Sequence, residues 1–217
     1  MWLLYLLFWT AVRASKPHYG KLHGVAVLTP DHVGVHITDI TWKHGSVVAM
    51  EWHGTGKGSS HGNFQGRALL DTGTGEMTIE TLTKGDDGIY TATINTNLTS
   101  QTKLLVISPV PKPSISVKCD TTTCTFNCEA KLTDAGPVTY WWKADYRRWT
   151  STSRQRITKE DKEEWFSCIV ENPVSSHRSD EIFNPFLPSS KTWIYILVAV
   201  ILAVGILGFL GYKYKTK

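Results

Sequence analysis

Cysteine is scarce: four residues in 217, none before Cys119. The N-terminal half therefore has no disulfide framework. Charge of one sign is also lacking where it would count. The formal net charge is +4, but between Lys16 and Ser190 there are 18 Lys+Arg against 19 Asp+Glu. A nearly neutral body gives no electrostatic footprint for nucleic acid, so no nucleic-acid partner is expected. Catalytic patterning is missing too: there is no nucleophile–base arrangement, no H-E-x-x-H and no phosphate loop, which points away from an enzyme. Seven histidines crowd the first part (His18, His23, His32, His36, His44, His53, His61). His32 and His36 are four residues apart but fall in the Asp31–His36 loop rather than on a helix, and no Cys/His clustering fixes a tetrahedral metal. They read as exposed surface groups, and neither metal nor cofactor is expected.

Acidic and basic residues are absent from the twenty positions Trp193–Tyr212, a length that crosses a bilayer as a helix. Lys213, Lys215 and Lys217 follow and mark the cytoplasmic side. Residues 1–14 are apolar and end in Val12-Arg13-Ala14, the form of a secretory signal peptide. The expectation is a single-pass type I plasma-membrane protein. It has an extracellular ectodomain, a stalk at 187–192, a span at 193–212 and a tail at 213–217.

Gly66–Ile94 organises what lies between. Two short alternating strands, with Ala68 and Leu70 on one and Met77 and Ile79 on the other, flank the Gly-rich turn Asp71–Gly75. Then comes Asp86-Asp87-Gly88-Ile89-Tyr90, D-x-G-x-Y, the corner into strand F of an immunoglobulin sandwich. There the Tyr hydroxyl bonds back to upstream backbone. Arg67 and Asp86 fall at the same end and can pair. Ala92 and Pro30 occupy the usual cysteine positions, and Trp42 on strand C is the expected core tryptophan. This array resembles a variable-type domain without its inter-sheet disulfide, over 15–109. Val110–Pro113 is a stiff linker. A constant-like domain over 114–186 carries the immunoglobulin spacing Cys128…Trp142…Cys168. The fold class is all-β: two tandem immunoglobulin-like sandwiches plus one transmembrane helix. Gly54–Gly62, rich in Gly, Ser and His, reads as a mobile loop.

Asn172-Pro173-Val174-Ser175, directly after the strand F segment of Cys168, resembles the SLAM family of the immunoglobulin superfamily. So does the Cys-free first domain, with Trp42-Lys43 on strand C and Ala49-Met50-Glu51-Trp52 on C′. The resemblance implies a Cys128–Cys168 bridge. Relatives often run a second bridge to strand G, but Arg178–Pro185 lacks cysteine, which leaves Cys124 as the local partner of Cys119. It also implies adhesion to a SLAM-family or related immunoglobulin-superfamily ectodomain on another cell, a second copy of this chain included. The short tail matches ligand-type members rather than signalling ones. A receptor signalling through a partner chain and a pathogen-encoded decoy are the alternatives. The span lacks the ionisable group such a receptor usually carries.

The resemblance places binding on the GFCC′ face of the first domain. By strand alternation its outward residues are Thr41 and Lys43 on C, Ala49 and Glu51 on C′, Thr91 and Thr93 on F, and Lys103 and Leu105 on G. Met50 and Trp52 point inward. Asn97-Leu98-Thr99 is the one N-glycosylation sequon, since proline follows Asn172 and Asn184. In the second domain Arg147, Arg148, Arg154 and Arg156, near Trp149, form a basic stretch that Glu160, Asp161, Glu163 and Glu164 are expected to neutralise.

Overall fold

The computed structural model describes residues 16–31, 34, 36–188 and 192–215. The side chains of 150, 151, 192–194 and 208–215 lie outside the description. The expected signal peptide, 1–14, falls wholly outside it. Two compact units form. One is built on residues up to Pro111 with Lys131–Thr139 and Glu171–His177, the other on Lys112–Ala130, Tyr140–Val170 and Arg178–Lys217.

In the first unit the strands are β1 (His18–Lys21), β2 (Ala26–Leu28), β3 (Ile40–His44), β4 (Val47–Trp52), β5 (Ser59–Ser60), β6 (Ala68–Leu70), β7 (Met77–Ile79), β8 (Gly88–Ile94) and β9 (Leu98–Ile107). A six-stranded sheet runs β1-β9-β8-β3-β4-β5, and a three-stranded sheet runs β2-β7-β6. Alternation decides what the strands bury. Leu28, Ile40, Trp42, Met77, Ile79, Tyr90, Ala92, Leu104 and Val106 are fully enclosed and make one core. Trp42 and Ala92 stand opposite each other in the sheet. The Trp42 indole N–H donates to the Gly75 carbonyl at 2.9 Å, so a ring that must be buried still has its polar atom satisfied. Gly75 is the residue of the Asp71–Gly75 turn with positive φ, at 78°.

The D-x-G-x-Y corner holds the end of this unit, and each of its residues has a task. Asp86 is buried and takes the Arg67 guanidinium in a two-pronged contact, Nη1–Oδ2 at 3.0 Å and Nη2–Oδ1 at 2.5 Å. It also accepts from the Thr83 amide at 2.7 Å and the Thr83 hydroxyl at 3.0 Å. Burial pushes the Asp86 carboxyl up, but these donors outweigh it and hold it below the ordinary carboxylate value. Asp87 accepts from the Val106 amide of β9. Gly88 is required because a Cβ would collide with the His44 ring. The Tyr90 hydroxyl donates to the Asp86 carbonyl at 3.0 Å, and burial, the largest cause, raises its phenol above the usual range.

The strands that follow are β10 (Ser114–Cys119), β11 (Thr123–Glu129), β12 (Thr139–Ala144), β13 (Arg147–Ser151), β14 (Arg154–Thr158), β15 (Trp165–Asn172), β16 (Ser175–Arg178) and β17 (Ile182–Phe183). Their sheets are β10-β11-β14 and β13-β12-β15-β16, with β17 also on β15. Cys128 of β11 is bonded to Cys168 of β15, joining the two sheets over a separation of 40 residues, and Cys119 is bonded to Cys124 across the β10–β11 hairpin. Closing the longer loop restricts the unfolded chain by about 4 kcal/mol on the entropic account. Phe126, Trp142 and Phe166 are buried, with the Phe126 ring packed against the other two. Arg147 pairs with Glu163 as expected, whereas Arg148 lies over the Trp141 ring at 4.3 Å.

A helix, α1 (Thr192–Lys215), follows. Its described side chains, 195–207, rise about 20 Å at 1.5 Å per residue. Among the described residues no helix is long and apolar enough to cross a membrane. The ends of the expected span, 193–212, fall outside the described side chains.

The corner makes acid stability testable. A carboxyl held below its ordinary value stabilises the fold above about pH 4 and loses that contribution as pH falls through the lower folded value. Asp86→Ala should cost about 3 kcal/mol at neutral pH, the usual cost of orphaning one partner of a buried pair. Urea unfolding at pH 7 and near pH 3 should show the variant losing less on acidification than the parent. Equal losses would mean that Asp86 does not carry the pair.

Candidate binding face

The outward side of the six-stranded sheet is built in rows by strand register. Glu51 of β4 stands opposite Thr41 of β3, Thr41 opposite Thr93 of β8, and Thr93 opposite Thr99 of β9. The next row holds Val48, Lys43, Thr91 and Gln101, and the one beyond it pairs Ile89 with Lys103. Leu105 lies opposite Tyr19 of β1. Lys43 and Lys103 are exposed; Thr41, Glu51, Thr91, Thr93 and Leu105 are half-buried. The structure therefore brings seven of the eight expected face residues onto one surface.

The eighth is a correction. Ala49 is fully buried, not outward. Register shifts between Trp42 and Lys43: Trp42 pairs with Met50, but Lys43 pairs with Val48. Ala49 is the extra residue of a β-bulge, which turns Val48 outward and puts Ala49 and Met50 both inside. Strict alternation cannot anticipate this, because Val47–Met50 is an unbroken apolar run.

A second correction concerns Gly54–Gly62. Part of it is ordered into β5, which pairs with β4 through Met50–Ser60 and Glu51–Ser59. The Trp52 indole donates to the Gly56 carbonyl at 3.0 Å, and the His61 amide donates to the Ala49 carbonyl at 2.9 Å. His44 also departs from expectation. It is stacked on Tyr90 with ring centroids 4.7 Å apart, not a free surface group.

The upper end of the face is fixed by Asn95. Its Oδ1 accepts from the Thr38 amide at 2.8 Å and the Thr38 hydroxyl at 3.0 Å, and its Nδ2 donates to the His36 carbonyl at 2.8 Å. Asn95 and Thr96 both have positive φ, 49° and 65°, so β8 and β9 are joined by a tight reversal that favours asparagine. Asn97 follows and is exposed. Beside this end a shallow depression of about 420 Å³ is lined by Asp39, Thr41, Lys43, His53, Thr93 and Thr96. It offers hydroxyls and both signs of charge. Among the described residues no group of His, Cys, Asp and Glu is placed to hold a metal.

Together the two units define a protein of tandem immunoglobulin-like sandwiches. No family model matches the chain. It is 26% identical to human lymphocyte function-associated antigen 3 over 200 residues, covering 88% of this chain and 78% of that protein. It is 26% identical to human CD48 antigen over 175 residues, covering 71% and 72%. Among solved structures it is similar to the CD2-binding domain of CD58 (lymphocyte function-associated antigen 3), with TM-score 0.62 and 23% identity. That match covers 80% of this chain and 98% of the other. Murine CEACAM1b has TM-score 0.55 at 21% identity, covering 77% and 94%. These structures establish a shared fold.

Asn95→Ala should remove the link between the β8–β9 reversal and residues 36–39. The expected cost is about 2 kcal/mol for bonds lost with their partners left behind. Amide exchange at Thr38 should become fast while exchange at Trp42 stays slow. Unchanged protection at Thr38 would show that Asn95 does not hold this end.

Proposed function

We propose that this chain is a cell-surface adhesion ligand. Its first sandwich meets an immunoglobulin-superfamily receptor on another cell, through the outer face of β9, β8, β3 and β4. The observation that carries the reading is the likeness over most of the chain to lymphocyte function-associated antigen 3 and CD48, joined to a solved relative described as CD2-binding. The chemistry of the face supports it. Thr41, Lys43, Glu51, Thr91, Thr93 and Lys103 make a polar, mixed-charge surface with Val48, Ile89 and Leu105 as its large apolar members, and it stays soluble when unoccupied. Its charges govern specificity and encounter more than affinity. A contact of about micromolar strength, near 8 kcal/mol, suffices where many copies act together. The partner class is a CD2-like or SLAM-family ectodomain. The run Trp193–Tyr212 anchors the chain in the plasma membrane, with residues 15–186 outside and Lys213–Lys217 inside.

Cells displaying the full chain should bind fluorescent multimers from a panel of CD2, SLAM-family and self ectodomains. Lys43→Glu and Glu51→Lys should each lower binding about tenfold, the usual effect of reversing an interfacial charge. Glu80→Lys, on the strand segment of the opposite sheet, should leave it intact. Equal loss from all three at equal surface expression would displace the face, and no binding to any member of the panel would displace the partner class.

Topology has its own test. A glycosidase should increase the mobility of the parent from secretory cells but not that of Asn97→Gln. A C-terminal tag should stain only permeabilised cells. Staining of intact cells would reverse the orientation.

A further inference from the structure

The β4 bulge has a consequence at the edge of the face. Its Ala49 carbonyl holds the His61 amide, which sets the His61 ring beside Glu51. The two carboxylate oxygens of Glu51 then face different imidazoles: Oε1 lies 3.0 Å from His61 Nε2, and Oε2 lies 3.7 Å from His53 Nε2. Both rings are reachable by solvent, with side chains 41% and 68% exposed, and the Glu51 side chain is 33% exposed. The surroundings supply little else to this carboxylate. Thr41 stands opposite on β3, with Asp39 and Lys43 two residues to either side; Ser59 stands opposite on β5; Thr93 of β8 lies beyond Thr41. Among the described ion pairs the partners of Glu51 are these two histidines.

We infer that Glu51 receives a cationic side chain of the receptor, and that His53 and His61 compete with that cation for the carboxylate when they are protonated. The inference rests on the binding face proposed above. With both rings neutral the group carries one negative charge. His61 then offers a neutral hydrogen bond, His53 no more than a polar contact, and both can be displaced. With both protonated the group carries one positive charge, the carboxylate is held by a charge-assisted bond from His61 and an ion pair with His53, and an approaching lysine or arginine meets repulsion. Histidine is the side chain whose charge changes between about pH 5 and 8. Adhesion through this face therefore weakens in acidified surroundings. Lys43 lines the same depression as His53, but among the described ion pairs it is joined neither to Glu51 nor to a histidine, so reversing its charge leaves the competition for Glu51 in place.

The test has a partner-dependent arm and a partner-independent arm. Cells displaying the full chain are exposed to multimers of the CD2 ectodomain at about pH 7.4 and about pH 6. Wild type should bind about tenfold less at the lower pH, the size of one adverse charge contact. In the double variant His53→Gln/His61→Gln the ratio between the two pH values should approach one. Lys43→Glu should lower binding at both pH values and keep the wild-type ratio. Equal wild-type binding at both, or an undiminished ratio in the double variant, overturns the competition. In the second arm the full chain, labelled with carbon-13 at histidine Cε1 and solubilised in detergent, is titrated by NMR, with single histidine variants assigning the signals. At about pH 6, Glu51→Gln should displace the His53 and His61 signals together, because both rings lie against this carboxylate. Undisplaced signals overturn the inference whatever binds. Displaced signals with no CD2 binding at either pH uphold the triad and count against the receptor class instead.

Discussion

The contact on which the first sandwich depends is the ion pair between Arg67 and Asp86. A carboxylate with a side chain only 2% exposed would be costly if it stood alone. Here it is taken by a two-pronged guanidinium and by the amide and hydroxyl of Thr83. Arg67 leads into β6 and Asp86 leads into β8, so the pair ties the two sheets at one end. The second unit joins its sheets with the Cys128–Cys168 bond. The first has no cysteine, and its centre is filled by Trp42 against Ala92 instead. The Tyr90 hydroxyl and Asp87 extend the same corner to the backbone at Asp86 and to β9.

Rigidity at that end leaves the other side of the six-stranded sheet free to vary. Tyr90, Ala92 and Ile94 of β8 face the core, while Thr91 and Thr93 between them face out. Because inward residues alone carry the packing, the outward ones can be small and polar at little cost to stability. The bulge in β4 works in the same direction. It places an extra apolar residue, Ala49, inside and brings Glu51 into line with Thr41 and Thr93.

Much of this was legible in the residues, for reasons that differ from place to place. The corner could be read because each of its positions is chemically demanding: a buried acid needs Arg67, a close ring contact needs Gly88, and a hydroxyl must reach Asp86. Strand alternation in β3, β8 and β9 placed Thr41, Lys43, Thr91, Thr93, Lys103 and Leu105 correctly. It failed at Ala49, since a bulge is a matter of pairing between strands and leaves no mark in an apolar run. Gly54–Gly62 read as loose because glycine and serine carry no packing signal. What orders Ser59 and Ser60 is the open edge of β4, which is a tertiary fact. The grouping of Glu51 with His61 was hidden for the same reason: the nine residues between them return only through that edge pairing.

The edge also bears on how such a surface can be both specific and reversible. A face dominated by large apolar groups would bind tightly but would be a hazard when empty. Threonines and mixed charges avoid that, and they leave selectivity to a few ionic positions. Lys43 and Glu51 sit in adjacent rows on neighbouring strands and carry opposite signs. A receptor must therefore present the complementary order of charges, and one with that order reversed meets repulsion at both rows. Selectivity of this kind needs the two charges held at fixed positions. The bulge secures that spacing: it sets β4 one residue out of simple register with β3, so the line from Lys43 to Glu51 is determined by backbone pairing rather than by the flexibility of either side chain.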